Sequence, residues 1–132
     1  MNKPIPKPNA DTAPFWEACK EGRLLYQQCS ACHTVQFFPR QHCTHCMATS
    51  LEWKDSSGIG RVYSHTTVYR APSSAFKADT PYVIALVDLE EGFRLMVDMI
   101  ETPIEKVTIG APVNIVFRSS GDAILPQGMI TT

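Results

Sequence analysis

The chain has 132 residues, and its 12 Lys plus Arg against 13 Asp plus Glu leave a formal net charge of -1. So balanced a charge, with no run of like sign, lacks the electrostatic footprint of a general nucleic-acid binder. No stretch reaches the roughly 18 apolar residues of a membrane span, and the start MNKPIPKPNADTAP carries no apolar core for a secretory signal.

A cytoplasmic protein is therefore expected, in a reducing setting where clustered cysteines favour metal ligation over structural disulfides. The length suits one compact domain, or a small metal-stapled module joined to one main core. Pro4, Pro6, Pro8 and Pro14 interrupt a polar start without hydrophobic periodicity, so residues 1–11 read as a flexible or surface-laid tail. A helix follows, with Asp11 or Thr12 as its cap and Pro14 in its first turn. Phe15, Ala18 and Cys19 share one face, and Gly22 stops the helix. RLLYQQ at 23–28 reads as a strand leading to a first cysteine pair, and HTVQFFPRQH at 33–42 returns the chain to a second. Residues 12–57 are thus expected to form a helix and a metal ribbon.

The two pairs are Cys29 with Cys32 and Cys43 with Cys46, each spaced CxxC. Such a turn points two thiolates at one ion, and a second turn completes a tetrahedron. The four make a closed site with no position left for water or substrate, so the metal's role is structural. A redox CxxC or unrelated buried thiols would each explain one pair, but not two pairs in one short window. Zinc is the expected occupant, with iron as the competitor. His33, His42 and His45 flank the ligands as exposed or hydrogen-bonding neighbours, and Cys19 reads as a small buried apolar residue.

MATSLEWKDSSG at 47–58 reads as a polar connector with Trp53 as its anchor. From there the period becomes two. In GRVYSHTTVY, residues 60–69, Val62, Ser64, Thr66 and Val68 alternate with Tyr63, His65, Thr67 and Tyr69. PYVIALVDLEEGFRLMVDMI is a hairpin with strands at 82–89 and 93–100 and a turn at EEG; VTIGAPVNIVFR supplies a further strand. Alternation places Val62 or Tyr63, Val83, Ala85, Val87, Leu95, Val97, Ile115 and Phe117 in the core, while Asp88, Arg94, Asp98 and Asn114 stay wet or paired. A mainly β fold with a small closed barrel over 58–132 is expected.

The order FWEACKEGRLLYQQCSAC, FPRQHCTHC, GRVYSHTTVYRAP, PYVIALVDLEEGFRLM and IGAPVNIVF resembles the acyl-CoA-associated proteins that join a rubredoxin-like zinc ribbon to an OB-fold, formerly a domain of unknown function. The resemblance runs from about residue 15 to 118 and leaves out the proline-rich tail and the end ILPQGMITT. It implies a non-catalytic accessory subunit that binds acyl-CoA and docks on a thiolase-like or hydratase-like enzyme of lipid, steroid or polyketide-like metabolism. A CoA thioester asks for basic groups and an apolar slot. Within YRAPSSAFKADTPY, Arg70 and Lys77 can meet phosphates, and Tyr69, Phe76 and Tyr82 can flank adenine or the acyl arm. Trp16, Phe37 and Phe38 are candidate docking anchors. Phe15 and one of the two adjacent phenylalanines are expected to pack the ribbon on the barrel instead. No GxSxG, HExxH or phosphate-cradling glycine loop is present. The alternative function is nucleic-acid binding through the same two modules, against which the charge counts.

Overall fold

Helix α1 (Ala13–Lys20) is set by Asn9 rather than by a capping side chain at Asp11 or Thr12. In the computed structural model, which describes residues 3–131, the Asn9 Oδ1 accepts from the backbone N–H groups of Asp11 and Thr12, both at 2.9 Å. The Thr12 hydroxyl turns away from the helix to accept from the Asn9 N–H. Asparagine wins because its side chain mimics a backbone turn two and three residues on. At the other end Gly22 N–H reaches Cys19 O and Arg23 N–H reaches Ala18 O. This pair of bonds requires the left-handed φ of 74° that Gly22 adopts. Upstream, the tail is laid on the surface: Lys3 pairs with Asp79 at 2.5 Å and Ile5 lies against Gly121. Met1, Asn2 and Thr132, which belong to the expected tail and barrel, lie outside the described residues.

The ribbon is a three-stranded antiparallel sheet in which β1 (Leu25–Cys29) lies between β2 (Val35–Gln36) and β3 (Leu51–Asp55). Strand β3 corrects the connector expected at 47–58. Trp53 does act as an anchor, half-buried against the core. The charged Glu52 and Lys54 alternate outward from this edge strand, which hid it in the sequence.

Five strands close the barrel in the order β4, β5, β6, β8, β7. They are β4 (Ile59–Val68), β5 (Tyr82–Leu89), β6 (Arg94–Met99), β7 (Pro112–Ser120) and β8 (Ala123–Ile130). Val62, Val83, Ala85, Val87, Leu95, Val97 and Ile115 are buried as the alternation requires, with Phe117 packed at their margin. Tyr63 is not in the core. Val62 pairs with Val87 and Ser64 with Leu86, so Tyr63 is an extra residue in a bulge. The bulge reverses the parity of β4, and Val62 no longer shares a face with Ser64, Thr66 and Val68. Closure depends on Gly128, which pairs with Met99 across a parallel seam. A Cβ there would meet Met99 Sδ at 2.7 Å and Val97 Cγ2 at 3.1 Å, so only glycine lets the two strands approach this closely.

Ribbon and barrel share one core. Phe93, just past the hairpin turn, stacks on Tyr26 of β1 (centroids 5.0 Å) and on Phe37 (5.5 Å), and Phe37 meets Phe15 of α1 edge-on. The connector is tied to the same hairpin, because Glu91 accepts from the Ser56 hydroxyl at 2.6 Å and the Ser57 N–H at 2.8 Å.

Candidate metal centre and ligand cleft

The two cysteine knuckles repeat one backbone design. Cys29 N–H donates to Thr34 O and His33 N–H to Cys29 O; fourteen residues on, Cys43 N–H donates to Ala48 O and Met47 N–H to Cys43 O. His33 and Met47 hold the matching left-handed position, with φ of 65° and 67°. The N–H groups of His45 and Cys46 point at the Cys43 Sγ from 3.3 and 3.5 Å. Such donors stabilise thiolates, which is what a metal needs.

The four Sγ atoms of Cys29, Cys32, Cys43 and Cys46 lie within 4.8 Å of one another, with two of the separations at 3.6 Å. A tetrahedron with M–S bonds of about 2.3 Å has edges of about 3.8 Å, so the set fits one ion. The thiols are out of balance without a cation. The Cys32 N–H, with further donors, holds Cys29 down to about 6. Cys46 has the Ala48 N–H in its favour, yet the sulfur of Cys32, burial and the other thiols push it up to about 12. Four anions cannot share this space unless a metal ion neutralises them. Cys19 is separate: it is fully buried on the inner face of α1, and burial pushes its thiol up to about 12. His33, His42 and His45 are exposed.

Two buried glutamines that the sequence did not single out hold the second knuckle in place. Gln27 Oε1 accepts from Gln36 Nε2 at 2.9 Å and from Arg40 N–H at 3.0 Å, and its Nε2 donates to Arg40 O. Gln36 Oε1 accepts from Thr44 N–H at 3.0 Å. At 5 % and 7 % exposure these side chains replace water for the loop between the cysteine pairs. Their alternation with apolar neighbours was visible, but not the loop they would meet.

The five residues expected at a CoA site divide between two recesses lined by different residues of one segment, which contains the 3-10 helix Ser74–Asp79. Tyr69, Arg70 and Lys77 line a recess of about 450 Å³. Phe76 and Tyr82, with ring centroids 6.2 Å apart, line a cleft of about 380 Å³ beside β5, β6 and β8. Asp98 also lines that cleft, which corrects its assignment as a wet or paired residue. Its Oδ1 is shielded from solvent without a hydrogen-bond partner, and burial raises its carboxyl above the usual 3.8. Asp88 behaves as expected, exposed and paired with Arg94 at 2.6 Å.

The docking candidates part ways as well. Phe37 is committed to the joint between ribbon and barrel, and Trp16 is half-buried against Phe15. Phe38 stands out at 70 % exposure, as does Met47 of the second knuckle at 69 %.

Comparison with known proteins matches this architecture. The ChsH2 rubredoxin-like zinc ribbon domain corresponds to residues 16–52 and the ChsH2 C-terminal OB-fold domain to residues 53–118. The chain is 39 % identical over 111 residues to a probable enoyl-CoA hydratase alpha subunit of Thermomonospora curvata, covering 84 % of the chain and 34 % of the relative. It therefore spans about a third of that curated relative. It is also 39 % identical over 105 residues to a DUF35 domain-containing scaffold protein of Methanocaldococcus jannaschii, covering 78 % of the chain and 74 % of the relative. A solved structure described as an Ltp2-ChsH2(DUF35) aldolase superposes with a TM-score of 0.87 at 34 % identity, over 97 % of this chain and 100 % of that one.

Proposed function

Because the chain belongs to the ChsH2 (DUF35) family of rubredoxin-like zinc ribbons joined to OB-folds, we propose that it is a non-catalytic, cytoplasmic accessory subunit of an enzyme that works on acyl-CoA. The observation that carries this reading is the match along nearly its whole length to a solved chain described as an Ltp2-ChsH2(DUF35) aldolase. The hydratase alpha subunit of Thermomonospora curvata points to the same class of chemistry. Consistently, the four cysteines form a closed donor set, which leaves the metal a structural role.

In this reading residues 12–57 are a ribbon folded on zinc and residues 58–132 are the OB-fold. The metal contributes folding energy, and the knuckle amides with Gln27 and Gln36 fix where the ligands stand. Arg70 and Lys77 meet the phosphates of the nucleotide, and Tyr69, Phe76 and Tyr82 flank the rest of the ligand. A thiolase-like or hydratase-like partner docks on the exposed Phe38, aided by the outer edge of Trp16, and carries out the carbon chemistry.

Co-expression with such a partner tests the proposal: Phe38→Ala should weaken the complex by ~2 kcal/mol, as loss of an interface anchor does, and leave the fold intact. A partner that binds the variant and the wild type equally would remove Phe38 from the interface.

A further inference from the structure

We infer that the cleft beside β5, β6 and β8 receives the pantetheine arm of an acyl-CoA, with Asp98 accepting a hydrogen bond from one of its amide N–H groups. This rests on the acyl-CoA reading above and adds to it a residue that reading did not use.

Asp98 pairs in register with Ile84, so its carboxyl springs from the outer face of the barrel into a wall of Tyr82, Ile84 and Leu125. Its Oδ1 is cut off from water and has no donor in reach among the described residues. Buried polar atoms are satisfied in the great majority of cases, and an orphan carboxyl costs stability unless something else gains from it. The nearest cation does not fill the gap, because Lys3 gives its Nζ to Asp79 and sits over the Phe76 ring. A small rotation about the soft terminal torsion of Asp98 presents the oxygen to the cleft.

What donor fits? The walls are largely apolar, and the cleft's volume of about 380 Å³ falls in the range of small-molecule sites. The basic recess of Arg70 and Lys77 is lined by the same 3-10 segment, and the adjacent residues Phe76 and Lys77 serve different recesses. A ligand that follows both must be anionic at one end and apolar with a few amides at the other. Acyl-CoA has that order. A neutral amide suits the carboxyl because it carries both a donor and an acceptor.

Isothermal titration of the zinc-loaded chain with butyryl-CoA, S-butyryl pantetheine and 3′,5′-ADP separates the parts. Asp98→Leu should weaken both thioesters about tenfold and leave 3′,5′-ADP unchanged. Its melting temperature should be no lower than wild type, since an unpaired carboxyl has been removed. Undiminished butyryl-CoA binding by Asp98→Leu overturns the inference and leaves the acyl-CoA reading standing. Failure of the wild type to bind butyryl-CoA overturns both. A variant that keeps thioester affinity but loses assembly with a partner enzyme also overturns the inference, because the cleft would then seat a partner side chain.

Discussion

Replacing Phe93 by Ala should uncouple the ribbon from the barrel. Phe93 is 6 % exposed and is the barrel residue that stacks on both Tyr26 and Phe37. Burying an aromatic side chain removes roughly 150–250 Å² from water, which at about 25 cal/mol per Å² is an upper bound near 4–6 kcal/mol. The two stacked pairs lie within that total at about 0.5–1.5 kcal/mol each. Phe→Ala changes in cores cost about 3–5 kcal/mol, so a loss near 4 kcal/mol is expected from a total stability of order 5–15 kcal/mol. Tyr26 and Phe37 then face a cavity that only their own rotation can fill. The assay is urea unfolding followed by two probes: release of the metal to a chromophoric chelator, and far-ultraviolet circular dichroism of the barrel. Wild type should give coincident transitions, and Phe93→Ala should bring the ribbon probe to lower urea than the barrel probe. A loss below about 1 kcal/mol with coincident curves would show that the aromatic stack does not join the modules.

Cys43→Ser should leave the protein without stoichiometric metal by elemental analysis and should unravel the ribbon, because such sites contribute about 10–16 kcal/mol in apparent binding energy. Gly128→Val should prevent barrel closure, since its side chain would overlap Met99, Val97 and Val113; wild-type thermal stability in that variant would refute the close seam. Asp98 sets a pH dependence whose sign follows from its raised folded pKa. The folded state holds that proton to higher pH than the unfolded chain, so this group's contribution to stability is greatest below 3.8 and falls as pH rises through the window just above it. Asp98→Asn should flatten that part of the stability profile measured by chemical denaturation.

The parts of this fold that were legible are those where local pattern and tertiary environment agree. The hairpin of β5 and β6 alternates cleanly because one face of each strand is buried, from Val83 to Val97, and the cysteine knuckles announce themselves by spacing. Strand β8 was not legible. Pro126 and Gly128 interrupt it, and both are tolerated for tertiary reasons. Proline stands where β8 has a register partner in β7 alone, and glycine stands where β6 comes too close for a side chain. The bulge at Tyr63 leaves no local signal, yet it moves every later residue of β4 to the other face. Gln27, Gln36 and Asp98 were misjudged or passed over for one reason: polarity in a sequence predicts exposure, and only the folded chain shows a loop backbone that needs amide partners or a wall that closes over a carboxyl.

The accessory role rests most directly on turnover measured with and without a partner enzyme. The homogeneous, zinc-loaded chain incubated with acyl-CoA substrates should give no product above background, and its addition to a thiolase-like or hydratase-like partner should raise that partner's activity or solubility. Efficient turnover by the isolated chain would contradict the account.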